Sequence, residues 1–277
     1  MRRQRIIAAL LLVTLVIASG CNKAEEHSGE GISAPVEEVT KVPESGSPIG
    51  ETGESFYELE FTGKEETEEV KQEEFVYFKS SLYYPVFEGY YGENMNTFVS
   101  SVTEQFKEAL PDARENAKFD YEESLSGDYV PTIFPEEEEL TISCLWRKEQ
   151  YITLFARCVS SSGGIHPNVF CQAYVVDMTD GKPEGIEDVL LPYGVTTDGL
   201  VDYATDKLLA EYGEDLFPYD DVSGYKTDVS RFLQSNQWYF NEKGLVVFAN
   251  PYEIAAYAYG MIECEISYEE LEQGLKK

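Results

Sequence analysis

Along Phe56-Tyr57-Glu58-Leu59-Glu60-Phe61 apolar and polar residues alternate, the period of a half-buried strand. Phe75-Val76-Tyr77-Phe78 and Ser81-Leu82-Tyr83-Tyr84 continue in extended form as far as Pro85. From Asn94 the period lengthens. Met95, Phe98, Val99, Val102, Phe106 and Leu110 recur at helical spacing, and Pro111 is expected to end that run. A three-strand meander follows over residues 140–146, 151–159 and 169–177, with turns at 147–150 and at Thr179-Asp180-Gly181. Leu200, Tyr203, Ala204, Leu208 and Leu209 mark a second helix, and residues 227–233 a short third. Strands return at 238–240, 245–248 and 260–267. Two or three helices packed on a mostly antiparallel sheet make an α+β fold, without parallel βαβ repetition.

A different pattern occupies the first 21 residues. Arg2, Arg3 and Arg5 precede an apolar run over residues 6–17 broken only by Thr14, and Ala18-Ser19-Gly20 leads to Cys21. This is the layout of a secretory signal, and the small residues before the cysteine give it the form of a bacterial lipobox, with Ala18 where leucine is usual. The expectation is a signal peptide over residues 1–20, lipidation at Cys21, and a mature chain held at the outer face of the cytoplasmic membrane. Two acyl chains anchor firmly where one binds reversibly, at about 0.8 kcal/mol per buried methylene. Residues 21–55 are rich in Glu, Gly, Ser and Pro and lack aromatic side chains, so they are expected to form a disordered acidic tether.

Composition narrows the partners. With 20 Tyr and 15 Phe the remainder of the chain can bury a core, and the formal net charge is −31. Nucleic acid is excluded as an expected partner because phosphate binding needs basic patches. A basic protein would be attracted. Beyond Cys21 there are four cysteines, Cys144, Cys158, Cys171 and Cys264, without a close Cys-x-x-Cys pair, so zinc is not expected. Cys158 and Cys171 flank a loop and are the candidate disulfide; buried free thiols are the alternative.

Catalytic chemistry finds little support. The chain has two histidines, His27 in the tether and His166 in the loop Ser160-Ser161-Ser162-Gly163-Gly164-Ile165-His166-Pro167-Asn168. Serines beside His166 suggest a hydrolase, but a Gly-x-Ser-x-Gly elbow is missing. Glu136 to Glu139 reads as a solvated lead-in to a strand. Asp215, Asp220 and Asp221 do not follow the spacing of a calcium loop. No catalytic residue, metal or cofactor is therefore expected.

The loop at 163–168 with Tyr174-Val175-Val176-Asp177-Met178-Thr179-Asp180-Gly181-Lys182, the glycine hairpin over 238–248, and Asn250-Pro251-Tyr252-Glu253-Ile254-Ala255-Ala256-Tyr257-Ala258-Tyr259-Gly260 form an ordered set. Residues 83–89 and 94–98 precede it. Together they resemble a pair of bacterial extracellular domains of unknown function. These occur in the ectodomain of a lysozyme-sensing anti-sigma factor and ahead of a peptidoglycan deacetylase catalytic domain. The resemblance implies an N-terminal subdomain over 56–135, a C-terminal one over 136–277, and a non-catalytic module contacting a lysozyme-like hydrolase or peptidoglycan. Only residues 1–5 precede the apolar run, so a sigma-binding role is not expected, nor is deacetylation. Clustered tyrosines beside the His166 loop are the candidate contact surface: Ser162, Gly163, Gly164, His166, Asn168, Pro251, Tyr252, Glu253 and Tyr257. A wall-active hydrolase and a structural lipoprotein of a membrane complex are the competing readings.

Overall fold

The computed structural model describes residues 59–126, 133–162 and 166–276; the expected signal, Cys21 and the tether lie outside them. A six-stranded sheet in the order β1-β2-β3-β4-β5-β6 comprises β1 (Phe61–Gln72), β2 (Phe75–Phe87), β3 (Glu136–Lys148), β4 (Tyr151–Ser161), β5 (Asn168–Asp177) and β6 (Lys182–Pro183). Helix α1 (Gly92–Leu125) connects β2 to β3, which pair in parallel; all other neighbours are antiparallel. Helices α2 (Ile186–Leu190), α3 (Thr197–Tyr212) and α4 (Val222–Gln234) come next. A three-stranded sheet of β7 (Trp238–Phe240), β8 (Gly244–Ala249) and β9 (Ile262–Ser267) follows, and α5 (Tyr268–Glu272) closes the chain. The fold is α+β, mostly antiparallel, with five α-helices among the described residues. None of them is long and apolar enough to cross a membrane.

Side-chain alternation produces four layers. On one face of the large sheet Leu82, Leu140, Ile142, Leu154, Cys158 and Val176 meet Met95, Phe98, Val99 and Phe106 of α1. On the other, Phe155, Cys171 and Ala173 meet Tyr239, Val246 and Phe248 of the small sheet. The small sheet turns Trp238, Phe240, Leu245, Val247 and Ile266 toward Leu200, Ala204, Leu208, Val229 and Phe232 of α3 and α4. Strand β8 is thus buried on both faces, which explains its unbroken apolar run Leu245-Val246-Val247-Phe248. Asn94 at the start of α1 donates to the Thr179 carbonyl at 2.7 Å, tying the helix to the turn after β5. Gly181 in that turn sits at φ 70°, where an added Cβ would overlap the Asn94 carbonyl.

Several expectations need correction. Pro111 does not end α1, which runs through it to Leu125. Buried Ala113 and Ala117 continue the apolar stripe beyond the proline, and their packing outweighs the roughly 3 kcal/mol that an interior proline costs. Of the strand expected over 56–61, residues 56–58 lie outside the described residues, and β1 extends beyond it over Phe61–Gln72; its Glu- and Lys-rich sequence suits an edge strand, with Glu69 paired to Lys79 of β2 at 3.2 Å. Position 135/136, the expected subdomain boundary, lies between α1 and β3, and β3 pairs with β2 across it. Glu136 to Glu139 is not a uniformly solvated run, since alternation turns Glu136 and Glu138 to the α1 side with Leu140. Glu136 is buried, and Glu138 accepts from the Ser160 hydroxyl at 2.7 Å. Cys158 and Cys171 are free thiols. Cys171 stands opposite Arg157, so it and Cys158 face opposite sides of the sheet and cannot be bridged.

Candidate functional site

The edge of β5 away from β4 would expose a row of backbone groups beyond the short β6. The chain closes it with the Asn250 side chain and with the backbone ahead of β7. Asn250, directly after β8, accepts from the Cys171 amide at 2.7 Å and donates to the Cys171 carbonyl at 3.2 Å, imitating a neighbouring strand. The Ala173 amide donates to the Asn236 carbonyl at 2.7 Å, and Gln172 Nε2 to the Ser235 carbonyl at 3.2 Å. Asn250 is 4% exposed, so these bonds are shielded from water.

Glu253 fastens the segment from below. Its Oε2 accepts from the Asn250 amide at 2.7 Å and from Gln237 Nε2, and its Oε1 pairs with Arg231 Nη1 at 2.8 Å. Arg231 also bonds Asp228 at 3.0 Å, joining helix α4 to the loop. Glu253, expected as a ligand contact, is thereby committed to holding the loop in place. Tyr252 then takes φ 71°, a left-handed conformation uncommon for a bulky residue, and stands 56% exposed.

Its ring meets Tyr257 at 5.2 Å, and Tyr257 stacks on His166 with centroids 4.4 Å apart and planes 15° from parallel. Three expected contact residues therefore converge on one surface, from loops far apart in sequence. Pro251 is half-buried at the start of this loop; Ser162 is exposed just past β4, and Asn168 opens β5 opposite Ser160. Gly163 and Gly164 lie outside the described residues.

Of the carboxylates weighed as calcium ligands, Asp215 and Asp221 are engaged elsewhere. Asp221 caps α4 through the Ser223 amide at 2.8 Å, and Asp215 accepts from the Tyr259 hydroxyl at 2.5 Å. Asp177 and Asp180 brace their turn by accepting from the Thr179 and Lys182 amides. Among the described residues no group of three His, Cys, Asp or Glu gathers closely enough to hold a metal ion. Hydrogen bonding to Asp215 raises the Tyr259 hydroxyl above its ordinary range, and hydrogen bonding to Asp228 does the same for Tyr219, so both stay neutral donors.

Sequence reasoning missed Asn250 and Arg231. Asn250 had a readable signal, a polar residue between a wholly apolar strand and a proline. Arg231 had none, because its partner Glu253 lies 22 residues away.

Residues 196–269, which take in α3, α4 and the small sheet, match the family model of DUF3298, a protein family of unknown function. The fold resembles a crystal structure of a DUF3298 member from Bacteroides fragilis NCTC 9343. The TM-score is 0.57 at 14% identity, covering 79% of this chain and 94% of that one. A DUF3298 protein from Pseudomonas aeruginosa PAO1 aligns at a TM-score of 0.39 and 15% identity, over 77% of this chain and 91% of that one. The curated proteins contain no match to the sequence.

Proposed function

We propose that this chain is an exported lipoprotein, anchored through Cys21, whose folded part recognises a cell-envelope ligand and does no chemistry. The ligand is a lysozyme-like hydrolase or peptidoglycan, met by His166, Tyr252 and Tyr257. The observation that carries the reading is the ladder of these three rings, mounted on a loop held at positive φ and locked from beneath by Glu253 and Asn250. Tyrosine supplies contact area with few rotatable bonds, so a fixed ladder loses little entropy on binding. The stacking of His166 on Tyr257 supports a contact role for His166 over that of a hydrolase base.

Of the two ligands, the net charge of −31 favours the basic hydrolase by steering it to the surface. The test is calorimetric titration of the full chain, in detergent, with lysozyme at low and at moderate salt. Saturable binding that survives moderate salt is expected. Binding that disappears with salt would reduce the attraction to bulk charge and overturn the hydrolase reading. Pelleting of the chain with purified peptidoglycan would then favour the glycan. The anchor is tested separately, since Cys21→Ser should move the protein out of the membrane fraction.

A further inference from the structure

A second group of rings borders the ladder. Phe217, Tyr219 and Tyr259 are 41%, 44% and 44% exposed. The Phe217 amide donates to the Ile254 carbonyl at 2.7 Å and Leu216 forms a single antiparallel bridge with Ala255, so this segment is fastened beside the loop bearing Tyr252 and Tyr257.

Carboxylates fix two of these rings. The Tyr259 hydroxyl is held by Asp215. The Tyr219 hydroxyl donates to Asp228 Oδ2 at 2.6 Å, while its ring meets Tyr225 edge-on at 4.9 Å and lies against Gly224, where any Cβ would overlap it. The rings are positioned before any partner arrives. Nearby cations are already engaged, Arg231 with Asp228 and Glu253, and Lys226 with Asp202 at 2.6 Å.

Exposed aromatic faces are negative at their centres, and the acids beside them add to that potential. A planar, weakly hydrated cation suits such a surface better than a compact ammonium, and an anionic polymer would be repelled. We infer that Phe217, Tyr219 and Tyr259 extend the contact face and take a basic polypeptide through arginine side chains laid on the tyrosine rings. This rests on the reading of the His166–Tyr257–Tyr252 ladder as a contact face. It adds the partner's chemistry and two residues, Phe217 and Tyr219, that the motif does not contain.

The test titrates the full chain with oligo-arginine and oligo-lysine peptides of equal length, at low and at moderate salt. The arginine peptide should bind about tenfold more tightly, and the difference should persist at moderate salt. Tyr219→Leu, which keeps bulk but removes the ring, and Phe217→Ala should each erase most of the arginine advantage and leave lysine binding unchanged. Tyr219→Leu also removes the bond to Asp228 and the edge contact with Tyr225, so Tyr219→Phe is the control: it drops the bond, keeps the ring, and should retain the arginine advantage. Equal affinities that fall together with salt would overturn the inference, as would variants that weaken both peptides alike. Lysozyme titrated against Tyr257→Ala separates the two levels. If that variant loses lysozyme while no arginine preference exists, the ladder reading stands and this one falls.

Discussion

Replacing Asn250 by alanine removes the partner of two buried backbone groups at once. The Cys171 amide loses its acceptor at 2.7 Å and the Cys171 carbonyl its donor at 3.2 Å, in a place where Asn250 itself is 4% exposed. A buried group left unsatisfied costs about 1–3 kcal/mol, and taking the lower half of that range for each gives a loss of about 3 kcal/mol. In a folded unit of this size that corresponds to a fall in melting temperature of about 6–12 °C. Asn250→Asp keeps an acceptor for the amide but has no donor for the carbonyl, and it brings a charge into the site, so it should fare no better than alanine. Urea unfolding followed by fluorescence gives the free energy, with an unchanged denaturant slope certifying that the same transition is compared. A loss below about 0.5 kcal/mol, the level of an ordinary surface substitution, would refute the claim that this side chain replaces a strand.

Burial pushes the Glu138 carboxyl up to about 7, against the opposing pull of its bond from Ser160. Because the folded value lies above the ordinary 4.5, the native state holds the proton longer. Its stabilising contribution is complete at low pH and is lost as pH rises from about 4.5 through about 7. Over that window Glu138→Gln should gain stability relative to the wild type, and a carboxyl titration by NMR with its midpoint near 4.5 would contradict the assignment. Burial likewise pushes the Cys158 thiol up to about 12 and the Cys171 thiol up to about 11. Both should resist iodoacetamide in the native protein and react after unfolding without reductant; mass spectrometry finding them linked would disprove the opposed orientation. Pro111→Ala should stabilise the protein by about 1–3 kcal/mol, because the alanine restores an interior amide to an exposed face of α1. An unchanged or lower stability would show that the proline is compensated locally.

The parts of the fold written in local periodicity were legible. The stripe from Met95 to Leu110, the β3–β4–β5 meander and the Gly244 hairpin each occur where their patterns place them. What escaped depends on neighbours distant in the chain. Edge strand β1 carries no apolar alternation because one side and most of one face are solvated. Glu136 and Glu138 look like surface in sequence, yet they turn inward once β3 is flanked by β2 and β4. At the site, His166, Tyr252 and Tyr257 could be nominated from their motif and do converge. The opposite role of Glu253 could not, since a carboxylate that contacts a ligand and one that pins a loop look alike until Arg231 and Gln237 are seen beside it. Cys158 and Cys171 fail as a pair for a simpler reason: their one-position offset across β4 and β5 puts them on opposite faces.

Hydroxyl-radical footprinting of the full chain, with and without lysozyme at moderate salt, tests most directly whether the aromatic surface is the contact face. The account predicts that oxidation of Tyr252, Tyr257 and His166 falls when lysozyme is bound, while exposed Phe119 and Leu191 elsewhere on the surface are oxidised as before. Unchanged oxidation of the ladder under conditions where lysozyme is bound, with protection appearing elsewhere, would contradict it.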